Sequence, residues 1–188
     1  MDNIAKNPAR DYLGKQYLIV AFIEQRLALV NYIKKGYDNN TPVLMTNRFL
    51  HFTAHGFYRS IILDLYALYG KPTNDNRYAF GHIKTESFPE LNPNSIREAE
   101  TIIKGLESSI VTITKIRHQQ IAHYNFEKED SISLNFDQLP ALNKLFTSAV
   151  EIIKLLGVGF LLEEERMGFD FEQECHYVRS LQHLIERS

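Results

Sequence analysis

The residues of this chain that best suit catalysis lie together in one stretch, positions 115–124, with the sequence KIRHQQIAHY. Histidine titrates near neutral pH and can accept or donate a proton, and arginine offers a planar fork of donors that fits a phosphate. Arg117, His118 and His123 combine the two residue types. They suggest phosphate-ester chemistry, which in principle needs no metal or cofactor, because general acid–base catalysis contributes about 10²–10⁴ in rate and a phosphate clamp a comparable factor.

The helix that must carry these residues has an apolar seam. Its apolar positions alternate in steps of four and three, as in a helix packed lengthwise on a partner, and are Ala99, Ile103, Leu106, Ile110 and Ile113. The same count continues to Arg117, Gln120 and Tyr124. Because an arginine is costly to bury without a partner, we expect Arg117 to face a cleft, to meet an anion or to lie in an interface.

Arg117 and His123 do not share one face of this helix. They are six positions apart, which is about 600° of helical rotation and places them roughly 120° from each other. A site that uses both therefore needs an unwound helix end or a second copy of the helix from another subunit. A two-fold dimer supplies the second arrangement, because the same surface meets itself across the axis.

The motif at the end of this helix resembles the signature of the HEPN superfamily. In that signature an arginine, often followed by Asn, Asp or His, is separated from a histidine by four to six residues, and Arg117, His118 and His123 match it with five residues between Arg117 and His123. The layout is most similar to the abortive-infection branch of the superfamily. The resemblance implies a four- or five-helix up-down bundle, a homodimer with facing motifs, and metal-independent endoribonuclease activity in toxin–antitoxin or anti-phage defence, with an antitoxin protein as a possible partner.

The resemblance gives the motif residues roles in RNA cleavage by the ribose 2′-hydroxyl. We expect His123 to act as the base, Arg117 to stabilise the pentavalent phosphorane, and His118 to position or protonate the leaving oxygen. The expected substrate contacts are Lys115, Gln119 and Tyr124. Packing on the seam is an alternative role for Tyr124.

The bare pattern of an arginine and a histidine has little specificity, because it also occurs at Arg48–His55 and Arg77–His82. Arg117 is distinguished by the polar residue after it, the Ala-His step, the helix end and the seam. In the alternative interpretation Arg117 pairs with a carboxylate and His123 only ends a helix. The protein is then a non-catalytic helical interaction module that binds a protein partner.

Two other pairs of histidines share a helix face but are weaker candidates. His51 and His55 lie four positions apart, yet no Glu follows His51 as a metalloprotease motif requires. We expect packing or interhelical hydrogen bonds there. His176 and His183 are expected to be packed or solvated, so no metal site is predicted.

Hydrophobic periodicity predicts an all-α bundle. The expected helices cover Tyr12–Lys35, a buried central helix from Pro42 to Tyr69 capped by Thr41, Ser95–His123 with a capping box at Ser95, Leu139–Leu156 capped by Asp137, and a fifth from Phe169 or Asp170 to Arg187. A proline-rich connection precedes the motif helix. It is expected to contain a short helix near Arg77–Lys84, and 131–136 is a possible extended piece.

Composition fits a single helical domain over residues 1–188. The chain is 44% hydrophobic, with a formal net charge of −2 and one cysteine. These values exclude a disordered chain, a disulfide framework and a large nucleic-acid-coating surface. With no apolar run near the roughly 20 residues of a membrane span, we expect a soluble protein. The single cysteine and the lack of a signal peptide predict a reducing, cytoplasmic setting.

Overall fold

A computed structural model describes residues 7–42, 46–74, 76–118 and 136–157 of the chain. Within these ranges the protein is an all-α bundle with no strand, as predicted. Its helices are α1 (Pro8–Asp38), α2 (Arg48–Tyr69), α3 (Pro93–Lys104), α4 (Glu107–Ile116) and α5 (Leu139–Gly157). Short 3₁₀ turns cover Phe80–His82 and Phe136–Gln138. None of the described helices is both long and apolar enough to cross a membrane.

The core forms where α1, α2 and α5 meet, and α3 and α4 pack against α5. Fully buried side chains from the three longest helices fill it, and the largest include Leu13, Ile23, Tyr58, Ile61, Leu65, Leu142 and Leu145. Arg26 of α1 and Asp64 of α2 form an ion pair beside this core. Burial raises the pKa of Asp64 despite the opposing effect of Arg26.

The long first helix extends past both predicted ends. Asn7 caps it, with a side-chain oxygen that accepts from the Arg10 amide at 3.1 Å, and Pro8 occupies the first helical position, where a missing amide costs nothing. The predicted stop at Gly36 is wrong, because Gly36 lies buried inside the last turn. The chain reverses at Asn40, whose φ of 53° is a conformation that asparagine tolerates.

The second helix begins at Arg48, so the prediction that Thr41 caps it is wrong. Asn47 is the cap, and its side-chain oxygen accepts from the amides of Phe49 and Leu50 at 3.0 and 3.2 Å. The predicted burial on most sides holds for the second half of the helix, whereas in the first half only one face, with Leu50 and Ala54, is buried. Phe49 and Phe52 are 72% and 78% exposed, whereas Ile61, Ile62 and Leu65 are fully buried.

The predicted third helix is two helices, since a turn at Gly105 and Leu106 separates α3 from α4. The amide of Leu106 bonds to the Ile103 carbonyl at 3.0 Å, a contact that tightens the helix end. Glycine favours such an interruption because it costs about 1 kcal/mol in a helix interior. The helix is therefore interrupted, but all five seam residues still face the core: Ala99, Leu106 and Ile113 are buried in it, and Ile103 and Ile110 pack against it partly buried.

The capping box predicted at Ser95 is also wrong, because Asn92 caps α3. Its side-chain oxygen accepts from the Asn94 amide at 2.9 Å. Replacing Asn92 by alanine should therefore lower the free energy of unfolding by about 0.5–2 kcal/mol, as measured by urea denaturation. Ser95→Ala is the matched control and should cost much less. A larger loss for Ser95→Ala would show that the sequence-based assignment was correct.

Candidate functional site

The candidate site lies where α4 ends against the last turn of α2. The guanidinium carbon of Arg117 sits 4.6 Å from the ring centre of Tyr66, over its face. Arg117 and His118 lie in a turn of π-helical geometry that follows α4, a geometry found frequently at functional sites. The structure therefore gives Arg117 an aromatic platform that its sequence position did not reveal.

His118 completes a three-residue cluster on the same aromatic ring. Its imidazole meets Tyr66 edge to face, with ring centres 6.4 Å apart, and its Nδ1 lies 3.4 Å from Arg117 Nη1. Because arginine can only donate, this contact requires Nδ1 to accept. The proton of a neutral His118 then resides on Nε2, which remains able to donate to a substrate oxygen.

The surroundings of Arg117 show how the structure accommodates an arginine on the seam. It is half-buried, and in the described ranges no carboxylate forms an ion pair with it. The ring of Tyr66 offsets part of the desolvation cost, since a cation over an aromatic face gains about 0.5–2 kcal/mol. The alternative of a structural pair with an acid finds no support among the residues described.

A cleft of about 930 Å³ opens beside this cluster, between the end of α2 on one side and the end of α3 together with α4 on the other. Its walls are mainly apolar or aromatic and include Tyr66, Tyr69, Ile103, Ile110 and Val111. Lysines line it from both sides, namely Lys71, Lys104 and Lys115, with Glu107 as the acid. His118 lines the same cleft. Lys115, a predicted substrate contact, therefore lines the cleft next to His118.

The end of α2 that supplies Tyr66 and Lys71 is fixed by close backbone packing at Gly70. A Cβ atom on Gly70 would lie 2.6 Å from the Tyr66 carbonyl and 2.8 Å from Asn76 Nδ2, so only glycine fits. The side-chain amide of Asn76 donates to the Lys71 carbonyl at 3.2 Å. These contacts fix the side of the cleft opposite α4.

Three of the predicted site residues, Gln119, His123 and Tyr124, lie outside the described residues. Their expected roles therefore remain predictions. The fifth helix and the pair His176 and His183 also lie outside those ranges. So does the predicted extended piece at 131–136 except for Phe136, which begins the 3₁₀ turn Phe136–Gln138. The described part of the site consists of Lys115, Arg117 and His118. Sequence analysis missed Tyr66, Lys71 and Lys104, because nothing in their local spacing indicates that they face α4.

Arg77 and His82, which also match the bare arginine–histidine pattern, line a separate pocket. Both side chains hold the loop that carries them. Arg77 Nε donates to the Asn74 carbonyl at 3.2 Å, and His82 Nε2 lies 3.2 Å from the Asn76 carbonyl. The short helix expected here is only the 3₁₀ turn Phe80–His82. These contacts make the pair a structural element of the connection.

His51 forms an interhelical contact, as predicted. The hydroxyl of Tyr37 on α1 lies 2.9 Å from His51 Nδ1, and the two rings meet edge to face with centres 5.2 Å apart. Over the residues described, no group of three His, Cys, Asp or Glu side chains could hold a metal ion.

His55, one turn further along α2, should make the protein less stable in acid. Burial lowers the pKa of His55 from its usual 6.5, and the nearby His51 and Arg59 lower it further. The unfolded chain therefore takes up this proton at a higher pH than the folded protein, and stability falls as pH drops below about 6.5. Urea denaturation at about pH 7 and about pH 5 should show a smaller loss for His55→Gln than for the wild type. An unchanged loss would contradict this assignment.

Comparison with known protein families, with curated proteins and with solved structures gives no match to this chain. The function is therefore inferred from the residues and the geometry of the site itself.

Proposed function

We propose that the protein is a metal-independent endoribonuclease of the HEPN type, with a composite arginine and histidine site in a homodimer. A toxin or anti-phage role in the cytoplasm is part of this proposal. The observation that carries it is Arg117 itself, a half-buried arginine held on the face of Tyr66 and bordering a lysine-rich cleft. A cation in this position suits a phosphate, because it is oriented before the substrate arrives.

The proposed reaction is a transfer of the phosphoryl group within the RNA. His123 removes the proton of the ribose 2′-hydroxyl, the 2′-oxygen bonds to phosphorus, and the bond from phosphorus to the 5′-oxygen breaks. The leaving oxygen takes up a proton, and the products are a 2′,3′-cyclic phosphate and a 5′-hydroxyl. Arg117 stabilises the phosphorane, and Nε2 of His118 donates a hydrogen bond to a phosphate oxygen or to the leaving oxygen, which takes its proton from water.

The homodimer is proposed from the sequence spacing of Arg117 and His123. If the helix continues past His118, the two side chains diverge by roughly 120°, so one subunit would supply the arginine and the other the histidine. A two-fold axis at the motif meets this need twice. Size-exclusion chromatography with light scattering should give a dimer at micromolar concentration, and a monomer that retains activity would overturn the composite site.

The decisive experiment is RNA cleavage in EDTA. Wild-type protein should convert a single-stranded RNA to fragments that end in a 2′,3′-cyclic phosphate, and His123→Ala should not. His82→Ala is the matched control, because His82 binds the Asn76 carbonyl away from the cleft. No cleavage by the wild type, or equal cleavage by the wild type and His123→Ala, would remove the enzyme proposal.

A second candidate function is a non-catalytic module that binds a protein, for example an antitoxin. The observation in its favour is the pair Phe49 and Phe52 on α2, which are 72% and 78% exposed, since large exposed apolar side chains mark interaction sites. Co-purification with a co-expressed neighbouring gene product should then be lost in Phe49→Ser/Phe52→Ser and retained in His123→Ala. The opposite pattern would exclude this function.

A further inference from the structure

The cleft beside Arg117 combines an apolar wall with a lysine-rich rim, and the proposed cleavage reaction does not itself require either. We propose that it binds an unpaired nucleotide of single-stranded RNA adjacent to the cleaved phosphate. This inference rests on the proposed function, because the cleft borders the proposed site through Tyr66, Lys115 and His118. It adds a substrate class: RNA whose bases are free to leave the strand.

The apolar wall of the cleft suits a nucleobase. A volume of about 930 Å³ falls in the range of roughly 300–1,000 Å³ that is usual for ligand pockets. Val111 on its wall is 60% exposed, and Ile110 and Tyr66 are half-buried beside it. A flat base placed here would cover this apolar surface, and bases bind sequence-tolerantly to such platforms.

The charged rim suits the phosphates on either side of that base. Lys71, Lys104 and Lys115 are all exposed, and with Glu107 they give the cleft an excess of two positive charges, to which Arg117 adds a third. The whole chain carries a net charge of −2. The cleft is therefore locally positive although the chain as a whole is slightly acidic, and local positive charge favours the binding of a polyanion.

The position of Tyr66 connects the cleft to the reacting phosphate. Tyr66 contacts Arg117, whose guanidinium carbon lies 4.6 Å from the Tyr66 ring centre, and Tyr66 also lines the cleft. A phosphate on Arg117 and a base in the cleft would therefore belong to neighbouring positions of one strand. A base held in a duplex is paired and stacked and could not enter, so the cleft selects single strands.

The test is binding of a short fluorescent RNA, measured by anisotropy in EDTA with every protein in the His123→Ala background. Lys71→Gln/Lys104→Gln should weaken binding on the order of ten-fold and lower the slope of log Kd against log salt by about 1.4. Lys15→Gln/Lys84→Gln makes the same change of charge on exposed lysines outside the cleft and should change neither. Val111→Gln should weaken single-strand binding several-fold, because it removes apolar surface that the base would cover. A duplex of the same sequence should bind more weakly than the single strand.

Binding and cleavage separate the two proposals. Cleavage by the wild type with normal binding by both cleft variants would overturn the nucleotide subsite and leave the ribonuclease in place. Weakened binding by the cleft variants without cleavage by the wild type would overturn the ribonuclease and leave a single-strand binding cleft. Equal weakening by the two lysine pairs, or a change of oligomeric state in Val111→Gln with unchanged RNA binding, would assign the cleft to another role.

Discussion

Arg117→Ala is expected to lower the rate of RNA cleavage by about 10²- to 10³-fold, because it removes a preorganised donor set from the developing phosphorane. The guanidinium is oriented by the ring of Tyr66 and not by an ion pair to any acid that the structure describes. Its charge is therefore available to the substrate. The loss should fall mainly on kcat, measured with saturating single-stranded RNA in EDTA.

Two variants test whether charge alone explains this effect. Arg117→Lys keeps the charge but loses the planar fork and the stacking of a guanidinium, so it should restore only part of the rate. Arg97→Ala removes an exposed arginine from α3 and should cleave like the wild type. Full activity in Arg117→Ala would contradict the proposed role, as would an equal loss in Arg97→Ala.

The largest effect on stability is expected at the contact of α1, α2 and α5. Leu65→Ala should lower the free energy of unfolding by about 2–5 kcal/mol, because it removes buried methyl groups and leaves a cavity. Leu65 is fully buried in the main core cluster. Urea denaturation followed by circular dichroism at 222 nm, a wavelength sensitive to helix content, should show a lower midpoint with an unchanged slope.

The same helix offers a matched control two positions away. Leu63 is 43% exposed, so Leu63→Ala removes the same atoms from a site that already contacts water. It should cost well under about 1 kcal/mol, in the range of ordinary surface changes of about ±0.5 kcal/mol. Equal losses for Leu63→Ala and Leu65→Ala would show that α2 does not pack on its Leu65 face.

Local capping is where sequence reasoning failed most clearly. Thr41 and Ser95 have suitable side chains for a cap, but Asn47 and Asn92 perform that role. Several capping residues stand near each helix start in the sequence, and each contributes only about 1 kcal/mol. The packing of the apolar faces outweighs such differences and selects which candidate lies at the helix end.

Hydrophobic spacing by itself determined the all-α class and the approximate course of α1, of α5 and of the second half of α2. The residue types and the motif singled out Lys115, Arg117 and His118 near a helix end. Only the tertiary structure decided that Arg117 lies on Tyr66 and that Lys71 and Lys104 border the same cleft. The physical reason is that periodicity within a helix defines which side chains share a face, whereas the residues opposite that face belong to another helix and are set by packing across the core.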